Sequence, residues 1–390
     1  MEDWKEYKLE ELGTVVGGAT PSTKDPSNYD GEISWITPKD LSNYPNRFIS
    51  RGDRTITQKG FEGCSCKMLP KGSILFSSRA PIGYVAIAEK EMCTNQGFKS
   101  IIPNTSIVNN MFLYYLFVNN KKYIESLGSG TTFKEVSGSV MKNILFNIPS
   151  LRAQEQIALF LSSLDDKIEL NRRINDNLEQ QAQMMFDQHL MNNTATEFCK
   201  LSDIANINPK RTVSKNTKAR YIEMSNLPTK GSFPCGWEYK EFSGGMKFMN
   251  GDTLMARITP CLENGKVAFI NFLNNGEIAF GSTEYIVISS KGIYSSEWFY
   301  FLTRNKTFVD YSIKHMNGSS GRQRVSGESI GDFPLPQFSK DSLKPIFLMA
   351  ESALKIIKRN SLENIKLSAI RDSLLPRLMS GELKINETNN

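Results

Sequence analysis

An internal repeat constrains the fold of this 390-residue chain more than any other feature. An apolar run interrupted by two asparagines recurs 189 positions further along, and its spacing alternates between four and three residues. Such heptad spacing aligns side chains along one seam of a long α-helix. The chain is therefore predicted to contain two copies of one structural unit. The predicted seam residues are Ile157, Leu161, Leu164, Ile168, Asn171, Asn175 and Leu178, followed by Ile346, Ala353, Ile357, Asn360, Asn364, Leu367 and Leu374.

The repeat continues upstream of both predicted helices. Val136-Ser137-Gly138 stands ahead of the first helix, and Val325-Ser326-Gly327 stands at the same offset ahead of the second. Lys8-Leu9 opens one half and Lys200-Leu201 opens the other. Further upstream the offset drifts, as loop insertions and deletions would cause. Blocks that still align are LPKGSILFSSRAP at 69–81 and FMNGDTLMARITP at 248–260.

These matches predict four consecutive parts: a globule at 1–150, a long helix at 151–192, a second globule at 193–338 and a second long helix at 339–385. Each globule contains short β-rich stretches bounded by Gly, Pro, Asn and Ser, together with one helical stretch. The expected fold class is α+β, with two mixed α/β domains in a pseudo-two-fold arrangement. The predicted strands are 32–37, 73–77, 84–88, 98–102, 253–257, 267–271 and 284–289, and the predicted helices are 110–125 and 296–314.

The two long helices are expected to separate the globules and to pack against each other. The 37 residues from Ala153 to His189 would form a rod of about 55 Å. Because both rods carry one matching apolar seam, and a duplicated chain has pseudo-two-fold symmetry, an antiparallel coiled coil is predicted. The seam asparagines could pair to fix the register, mark a frayed and solvated stretch, or line a groove for other subunits.

Charge allows a nucleic-acid partner without requiring one. The net charge is +6 and the pI is about 8.8. Residues 200–335 carry 17 basic against 12 acidic side chains, and this is the clearly basic segment. A polyanion partner fits this balance, but many proteins reach such values without one.

The usual signatures of an enzyme site are missing from the sequence. It contains no phosphate-binding loop, dinucleotide turn or nucleophile elbow. His189 and His315 lack Cys or His neighbours at metal-ligand spacing, and the six cysteines match neither a zinc knuckle nor a redox pair. A non-catalytic chain without a metal site is therefore expected. The polar N-terminus and the lack of a long apolar window predict a cytoplasmic protein without membrane contact.

Taken in order, several blocks resemble the specificity subunits of type I restriction-modification systems, and the resemblance spans essentially the whole chain. The second half has ARITPCLENGKVAF where the first has SSRAPIGYVAIA, which fits two domains of different specificity. The blocks are Tyr7-Lys8-Leu9, Gly18-Ala19-Thr20-Pro21, Ile33-Ser34-Trp35-Ile36-Thr37, Asp40-Leu41, SSRAPIGYVAIA (77–88), TNQGFKS (94–100), GSGTTFKEVSG (128–138), IPSLRAQEQIALFLSSLDDKIELNRRIN (148–175) and LLPRLMSGELKI (374–385).

The resemblance implies that each globule is a target-recognition domain reading one half of a bipartite, asymmetric site in double-stranded DNA. It also implies that the helices fix the unread spacer. Two modification subunits, which methylate adenine with S-adenosylmethionine, and two restriction subunits, which use ATP and Mg²⁺, would be the protein partners. This chain would hold none of these cofactors and would direct the chemistry of its partners.

Candidate DNA contacts are basic and amide side chains in predicted loops, because such groups bind base edges and phosphates. Arg79, Gln96 and Lys134 lie in blocks shared with the family, so a scaffold role competes with DNA contact there. The alternatives to the whole interpretation are a DNA-binding factor of another defence assembly, and a nuclease or methyltransferase with an unfamiliar site. The candidates are Lys39, Asn43, Arg47, Arg51, Arg79, Gln96 and Lys134 in the first domain, and Lys230, Arg257, Lys266, Arg322, Gln323 and Arg324 in the second.

Overall fold

The fold is described from a computed structural model, which covers residues 4–79, 81–130, 134–192, 197–319 and 321–385. Among these residues, those up to Glu169 and those from Lys366 onward form one compact unit, and Leu170–Ile365 form the other. The predicted boundaries lie at the helix ends, whereas the units divide within both long helices. Each compact unit therefore consists of one globule together with part of each long helix.

The first unit combines short strands with short helices. Every strand predicted for this half is present, and the predicted helix at 110–125 is divided in two at Asn120. Two 3₁₀ turns, Pro26–Asn28 and Pro38–Leu41, lie in the loops. The elements are β1 (Lys5–Lys8), α1 (Leu9–Leu12), β2 (Gly13–Gly17), β3 (Tyr29–Ile36), β4 (Phe48–Ile49), β5 (Thr55–Ile56), α2 (Gln58–Glu62), β6 (Ile74–Phe76), β7 (Val85–Ala88), β8 (Cys93–Thr94), β9 (Lys99–Pro103), α3 (Asn110–Asn119), α4 (Lys121–Ser126), α5 (Gly138–Lys142), β10 (Leu145–Ile148) and the first part of α6 (Leu151–Met191).

The strands of the first unit form a five-stranded sheet in the order β2-β9-β6-β7-β4 and a three-stranded sheet in the order β5-β3-β8. β3 and β8 are parallel, whereas β1 and β10 form a separate antiparallel pair. One core contains residues of the larger sheet, α3, α6 and α11, and includes Phe76, Phe112 and Leu161. A second core contains Ile36, Leu75 and other residues from both sheets.

The second unit repeats this plan. The predicted helix at 296–314 is again divided at an asparagine, Asn305, whose side chain accepts a hydrogen bond from the Phe308 amide and caps the following helix. The elements are the second part of α6, β11 (Phe198–Lys200), α7 (Leu201–Ile204), β12 (Ala205–Ile207), β13 (Lys218–Ile222), β14 (Glu238–Glu241), β15 (Met246–Phe248), β16 (Thr253–Ala256), β17 (Val267–Phe269), β18 (Ala279–Gly281), β19 (Tyr285–Ser290), α8 (Ser296–Arg304), α9 (Lys306–Lys314), α10 (Gly327–Gly331), β20 (Pro334–Pro336) and α11 (Lys340–Met379).

Sheet topology shows the repeat more clearly than sequence does. The order β12-β19-β16-β17 corresponds to β2-β9-β6-β7, and the order β14-β13-β18 corresponds to β5-β3-β8. The inner pair β13-β18 is parallel like β3-β8, and β11-β20 is antiparallel like β1-β10. The predicted duplication and the mixed α/β fold class are therefore confirmed within each unit.

The short motifs that recur between the halves are structural. Val136 and Val325 are fully buried, and the serine that follows each valine caps a short helix by accepting a hydrogen bond from a backbone amide. Leu9 and Leu201 are fully buried as well. A shared Val-Ser-Gly sequence therefore reflects a helix start in the scaffold and carries no information about a target.

The long helices pack antiparallel within each unit. In the first unit, Ile157 and Leu161 of α6 share a core with Leu375 and Leu378 near the end of α11. In the second, Ala182 near the end of α6 shares a core with residues from the start of α11. All fourteen predicted seam residues are buried or half-buried.

Among the described residues, no helix combines the length and apolarity that crossing a bilayer requires.

The seam asparagines pair across the two helices. Asn360 donates from Nδ2 to Oδ1 of Asn175 at 2.9 Å, and Asn171 donates to Oδ1 of Asn364 at 2.9 Å. Asn171 is 1% exposed and Asn360 is 3% exposed. The interpretation of this stretch as frayed and solvated was therefore wrong, because the four amides are paired, with Asn171 and Asn360 buried and Asn175 and Asn364 half-buried.

Replacing Asn360 with alanine should lower the free energy of unfolding by about 1 kcal/mol, since the side-chain carbonyl of the half-buried Asn175 would lose its donor. Replacing both Asn175 and Asn360 with leucine should leave the protein at least as stable but allow other helix registers or oligomers. Urea unfolding measures the first effect, and sedimentation velocity measures the second. A single alanine variant with unchanged stability would contradict a role for this pair.

Candidate nucleic-acid interface

Loops from both sheets of the first unit converge on one surface, here called the first loop face (residues 18–22, 37–43, 50–54, 77–79, 94–98, 129–130 and 134–136). Backbone hydrogen bonds join these loops. The amide of Ala19 donates to Thr94 at 3.0 Å, and the amide of Ser78 donates to Gly97 at 2.7 Å. The amide of Val136 donates to Ser78 at 2.9 Å. Loops joined in this way present their side chains as one surface.

The first loop face brings together six of the seven side chains predicted for this domain. Lys39, Asn43, Arg51, Gln96 and Lys134 are exposed, and Arg79 is half-buried. The ammonium of Lys39 lies 3.4 Å from Asp53, and Gln96 contacts the hydroxyl of Thr20. Residues 80 and 131–133, which belong to the family-like blocks, lie outside the described residues.

Two aromatic side chains hold the 18–22 loop in position. The indole of Trp35 donates to the carbonyl of Ala19 at 3.0 Å, and the hydroxyl of Tyr29 donates to the carbonyl of Pro21 at 2.7 Å. A Cβ at Gly18 would lie 2.0 Å from the carbonyl oxygen of Asn95, so only glycine allows this close approach. The Gly-Ala-Thr-Pro block is thus held in a fixed conformation at the first loop face.

Arg54 is a further exposed cation on this face and was not among the predicted residues. Its guanidinium carbon lies 3.9 Å from the ring centroid of Tyr29, and its side chain is exposed. Stacking on an aromatic ring fixes the plane of a guanidinium while leaving its donors available. The spacing Arg51-Gly-Asp-Arg54 was the available signal, because it places two arginines in one turn.

Arg47, which was predicted to contact DNA, is instead buried and ion-paired within the unit. Its side chain is buried, 3% exposed, and its guanidinium donates to Glu169 of α6 at 2.9 Å and also to Asp166. Burial alone would lower the pKa of this guanidinium, but the two carboxylates outweigh burial and raise the pKa above its usual value. Arg47 therefore attaches its loop to α6, which makes it a weaker candidate for DNA contact than the exposed residues.

A connected network continues from this contact along α6. The hydroxyl of Tyr115 donates to Asp165 at 2.6 Å, and the guanidinium of Arg371 of α11 donates to the same carboxylate at 2.5 Å. Desolvation, and then the charge of Asp165, raise the pKa of the Tyr115 phenol. These contacts join α3, α6 and α11 inside the first unit.

The second unit groups its predicted residues around Glu284. Arg324 donates to this carboxylate through Nε and Nη2 at 2.9 Å, and Nε of Arg257 lies 3.8 Å from it. The hydrogen bonds from Arg324 lower the pKa of Glu284, so this carboxylate stays ionised. Gln323 and Arg322 precede Arg324 in the same loop, and Arg322 is exposed. The structure therefore brings Arg257, Arg322, Gln323 and Arg324 together.

The two predicted lysines of the second unit lie in other settings. The ammonium of Lys266 donates to the backbone carbonyl of Met224 at 2.7 Å, which restrains it. Lys230 lines a cavity of about 420 Å³ together with Asp176 and Glu179 of α6. Acidic neighbours make this position unfavourable for a polyanion. Both lysines are weaker candidates than the arginines around Glu284.

Within the described part of the chain, no group of three or more His, Cys, Asp or Glu side chains is arranged to hold a metal ion. The six cysteines are free thiols. Cys66 and Cys93 lie beneath the first loop face, and the interaction with the Cys93 side chain lowers the pKa of Cys66. The geometry of the site thus consists of basic and amide side chains on ordered loops.

Comparisons with known proteins identify chains similar to this one. The family model of the type I restriction modification DNA specificity domain matches residues 1–180. The specificity subunit of the type I restriction enzyme MjaIX of Methanocaldococcus jannaschii is 35% identical over 331 residues, which cover 84% of this chain and 67% of the relative. The HindI specificity subunit of Haemophilus influenzae is 24% identical over 474 residues, which cover 98% of this chain and 100% of the relative.

The fold also matches a solved structure. The crystal structure of the S subunit of a type I restriction-modification system from M. genitalium superposes with a TM-score of 0.61 at 16% identity. The superposition covers 99% of this chain and 97% of that one. At this level of identity the likeness concerns the fold alone.

Replacing Arg47 with methionine should lower the free energy of unfolding by about 3 kcal/mol, because the partly buried carboxylate of Glu169 would lose its partner. The salt dependence of DNA binding should stay unchanged. Denaturant unfolding and a salt series of binding measurements test the two parts. Replacing the exposed Arg51 with methionine is the matched control, and it should change stability by less than about 0.5 kcal/mol. A flatter salt slope for the Arg47 variant at unchanged stability would restore Arg47 as a DNA contact.

Proposed function

Because this chain belongs to the family of type I restriction enzyme specificity subunits, we propose that it is the DNA-reading subunit of such a complex. Each unit would read one half of a bipartite, asymmetric site in double-stranded DNA. The observation that carries the proposal is one topology used twice with different side chains. The first unit has Ser78 and Arg79 where the second has Arg257 and Ile258, so the scaffold is kept and the chemistry at the surface differs.

The two long helices would fix the unread spacer between the half-sites. α6 has 41 residues and α11 has 40, and each is continuous through parts of both units. Matched, buried asparagines oppose sliding of one helix along the other. A fixed pair of helices would hold the two half-sites at a constant distance, which a flexible linker would not.

The same helices would dock two modification subunits. Several apolar side chains on them are exposed, and Leu159 is 73% exposed. Exposed apolar residues on both helices suit a protein interface. They are Leu159, Phe160, Leu170, Ile174, Met184, Met185 and Met191 of α6 and Leu348, Ile365 and Ile370 of α11.

Catalysis would belong to the partners. S-adenosylmethionine would be held by the modification subunits, and ATP and Mg²⁺ by two restriction subunits. This chain would be a non-catalytic member that directs adenine methylation and cleavage to its target, and it would work in the cytoplasm, where these partners meet DNA.

Methyl transfer tests the proposal directly. Labelled S-adenosylmethionine and genomic DNA are incubated with this chain alone, with its modification subunit alone, and with both together, and the methylated positions are mapped. We expect adenine methylation only in the mixture, at a split site of which one half changes when the domain around Arg257 is exchanged. Methylation at the same site by the modification subunit alone would remove the need for this reader. Activity of this chain alone would indicate an enzyme.

Replacing both Arg322 and Arg324 with alanine should weaken DNA binding by a few kcal/mol, because two loop cations near the duplex would be lost. The dependence of binding on salt should also become flatter. A fluorescence anisotropy titration at several salt concentrations measures both effects. An unchanged salt slope would show that this loop does not contact phosphates.

A further inference from the structure

Each unit contains a carboxylate shared by two cations, an arrangement here called a clamp. In the first clamp, Glu135 accepts a hydrogen bond from the ammonium of Lys99 at 3.1 Å, and Nη1 of Arg79 lies 3.8 Å from its other oxygen. In the second clamp, Glu284 accepts from Arg324 at 2.9 Å, and Arg257 approaches to 3.8 Å. Both clamps thus have one tight and one loose cation.

The two clamps occupy the same place in the repeated fold. Arg79 forms a backbone bridge with Glu135, directly before Val136, and Ile258 forms the matching bridge with Arg324, directly before Val325. The acid differs in position. In the first clamp it lies in the segment before Val-Ser-Gly, and in the second it lies ahead of β19. The repeat therefore preserves a charge arrangement at this place while the residues that form it differ.

A salt bridge that only stabilises the fold needs one cation for each carboxylate, whereas each clamp has two. Two cations around one carboxylate leave a net positive charge at the surface. The loose cation is held at ion-pair distance without a full set of hydrogen bonds, since Nε of Arg257 is buried and has no hydrogen-bond partner among the described residues. The side chains of Arg257, Glu284 and Arg324 are 30%, 26% and 38% exposed, so a ligand can reach the cluster.

The backbone holds the second clamp rigidly. The amide of Arg257 donates to the carbonyl of Glu284 at 3.0 Å, and the amide of Val325 donates to the carbonyl of Arg257 at 3.0 Å. Nη1 of Arg324 donates to the carbonyl of Arg322 at 3.1 Å. The arginines are therefore oriented before any ligand arrives, which favours a partner that matches their geometry.

We propose that Glu135 and Glu284 are positioning residues of the DNA interface, each holding two cations for contact with the target and opposing their capture by phosphates of other sequences. The inference rests on the proposed function. A carboxylate beside a duplex repels phosphates, so it weakens binding to any sequence unless target contacts compensate. Each clamp would thereby increase discrimination at a small loss of affinity.

Replacement of Glu284 with glutamine in the complex with the modification subunit tests the proposal, and the same change at Glu135 tests the first clamp. Binding is measured on a duplex carrying the mapped site and on a scrambled duplex, over a series of salt concentrations. We expect tighter binding to the scrambled duplex, with a log–log salt slope steeper by about 0.9 because one more cation meets a phosphate. The ratio of target to scrambled affinity should fall several-fold. Glu284→Asp, which retains the charge, should recover most of that ratio.

Glu241→Gln is the charge-matched control, since Glu241 is exposed on β14 and is replaced with the same change in net charge. It should leave the ratio unchanged. Equal effects of Glu241→Gln and Glu284→Gln, or no effect of the clamp variants, would overturn the inference. If the unmodified complex itself fails to distinguish the two duplexes, the proposed function fails instead. Thermal unfolding of every variant identifies losses of binding that are caused by misfolding. If Glu284→Gln misfolds, Glu284→Asp provides the test. Its ratio of target to scrambled affinity must then lie below that of the unmodified complex and above that of Glu284→Gln.

Discussion

The buried amides between α6 and α11 are the constraint on which the rest of the structure depends. Asn171 and Asn175 meet Asn364 and Asn360 in a seam that buries Asn171 and Asn360, where an unmatched amide is unfavourable. Sliding either helix by one turn would break these pairs and would place apolar side chains against the wrong partners. The register therefore determines which part of each helix completes which core. Ile157 and Leu161 complete the core of the first unit, and Ala182 completes that of the second.

Buried scaffold residues and exposed loop residues are separated clearly in both units. Residues that recur between the halves, such as Leu9 with Leu201 and Val136 with Val325, are buried and build sheets and helix starts. Residues at the loop surfaces differ in charge and order between the halves, even where the backbone bridges correspond. Such a division allows surface chemistry to change while the fold is retained.

The long-range periodicity of the sequence was sufficient to predict the helices, because the pattern of apolar residues and asparagines in the first seam recurs 189 residues later in the second. Strands such as β6, β16 and β19 were predictable from short apolar runs between Gly and Pro. The strand β18 was missed because Ala279–Gly281 is too short to show alternation. The breaks at Asn120 and Asn305 were missed because each asparagine is a single polar residue within a longer helical pattern; Asn305 caps the helix that follows it, whereas the Asn120 side chain donates back to the carbonyl of Leu116.

The candidate surface was predictable only in part. Arg47 looked like any loop arginine, and its partners Asp166 and Glu169 lie more than one hundred residues away, so no local pattern revealed the ion pair. Arg54 was missed because its guanidinium is oriented by stacking on Tyr29, which is distant in sequence. Local sequence shows which side chains could bind a polyanion, whereas tertiary contacts decide which of them are already engaged.

The contact of Arg47 with α6 also affects how this protein could be recombined with its relatives. A hybrid joined at residue 150 would place a foreign globule on a helix that still carries Glu169, and a globule without a cation at the position of Arg47 would leave that carboxylate unpaired. The part of the chain that must be exchanged together is therefore larger than the globule. It includes α6 to Glu169 and α11 from Lys366, so an exchange that preserves folding must cross over inside the helices, at two places in the gene.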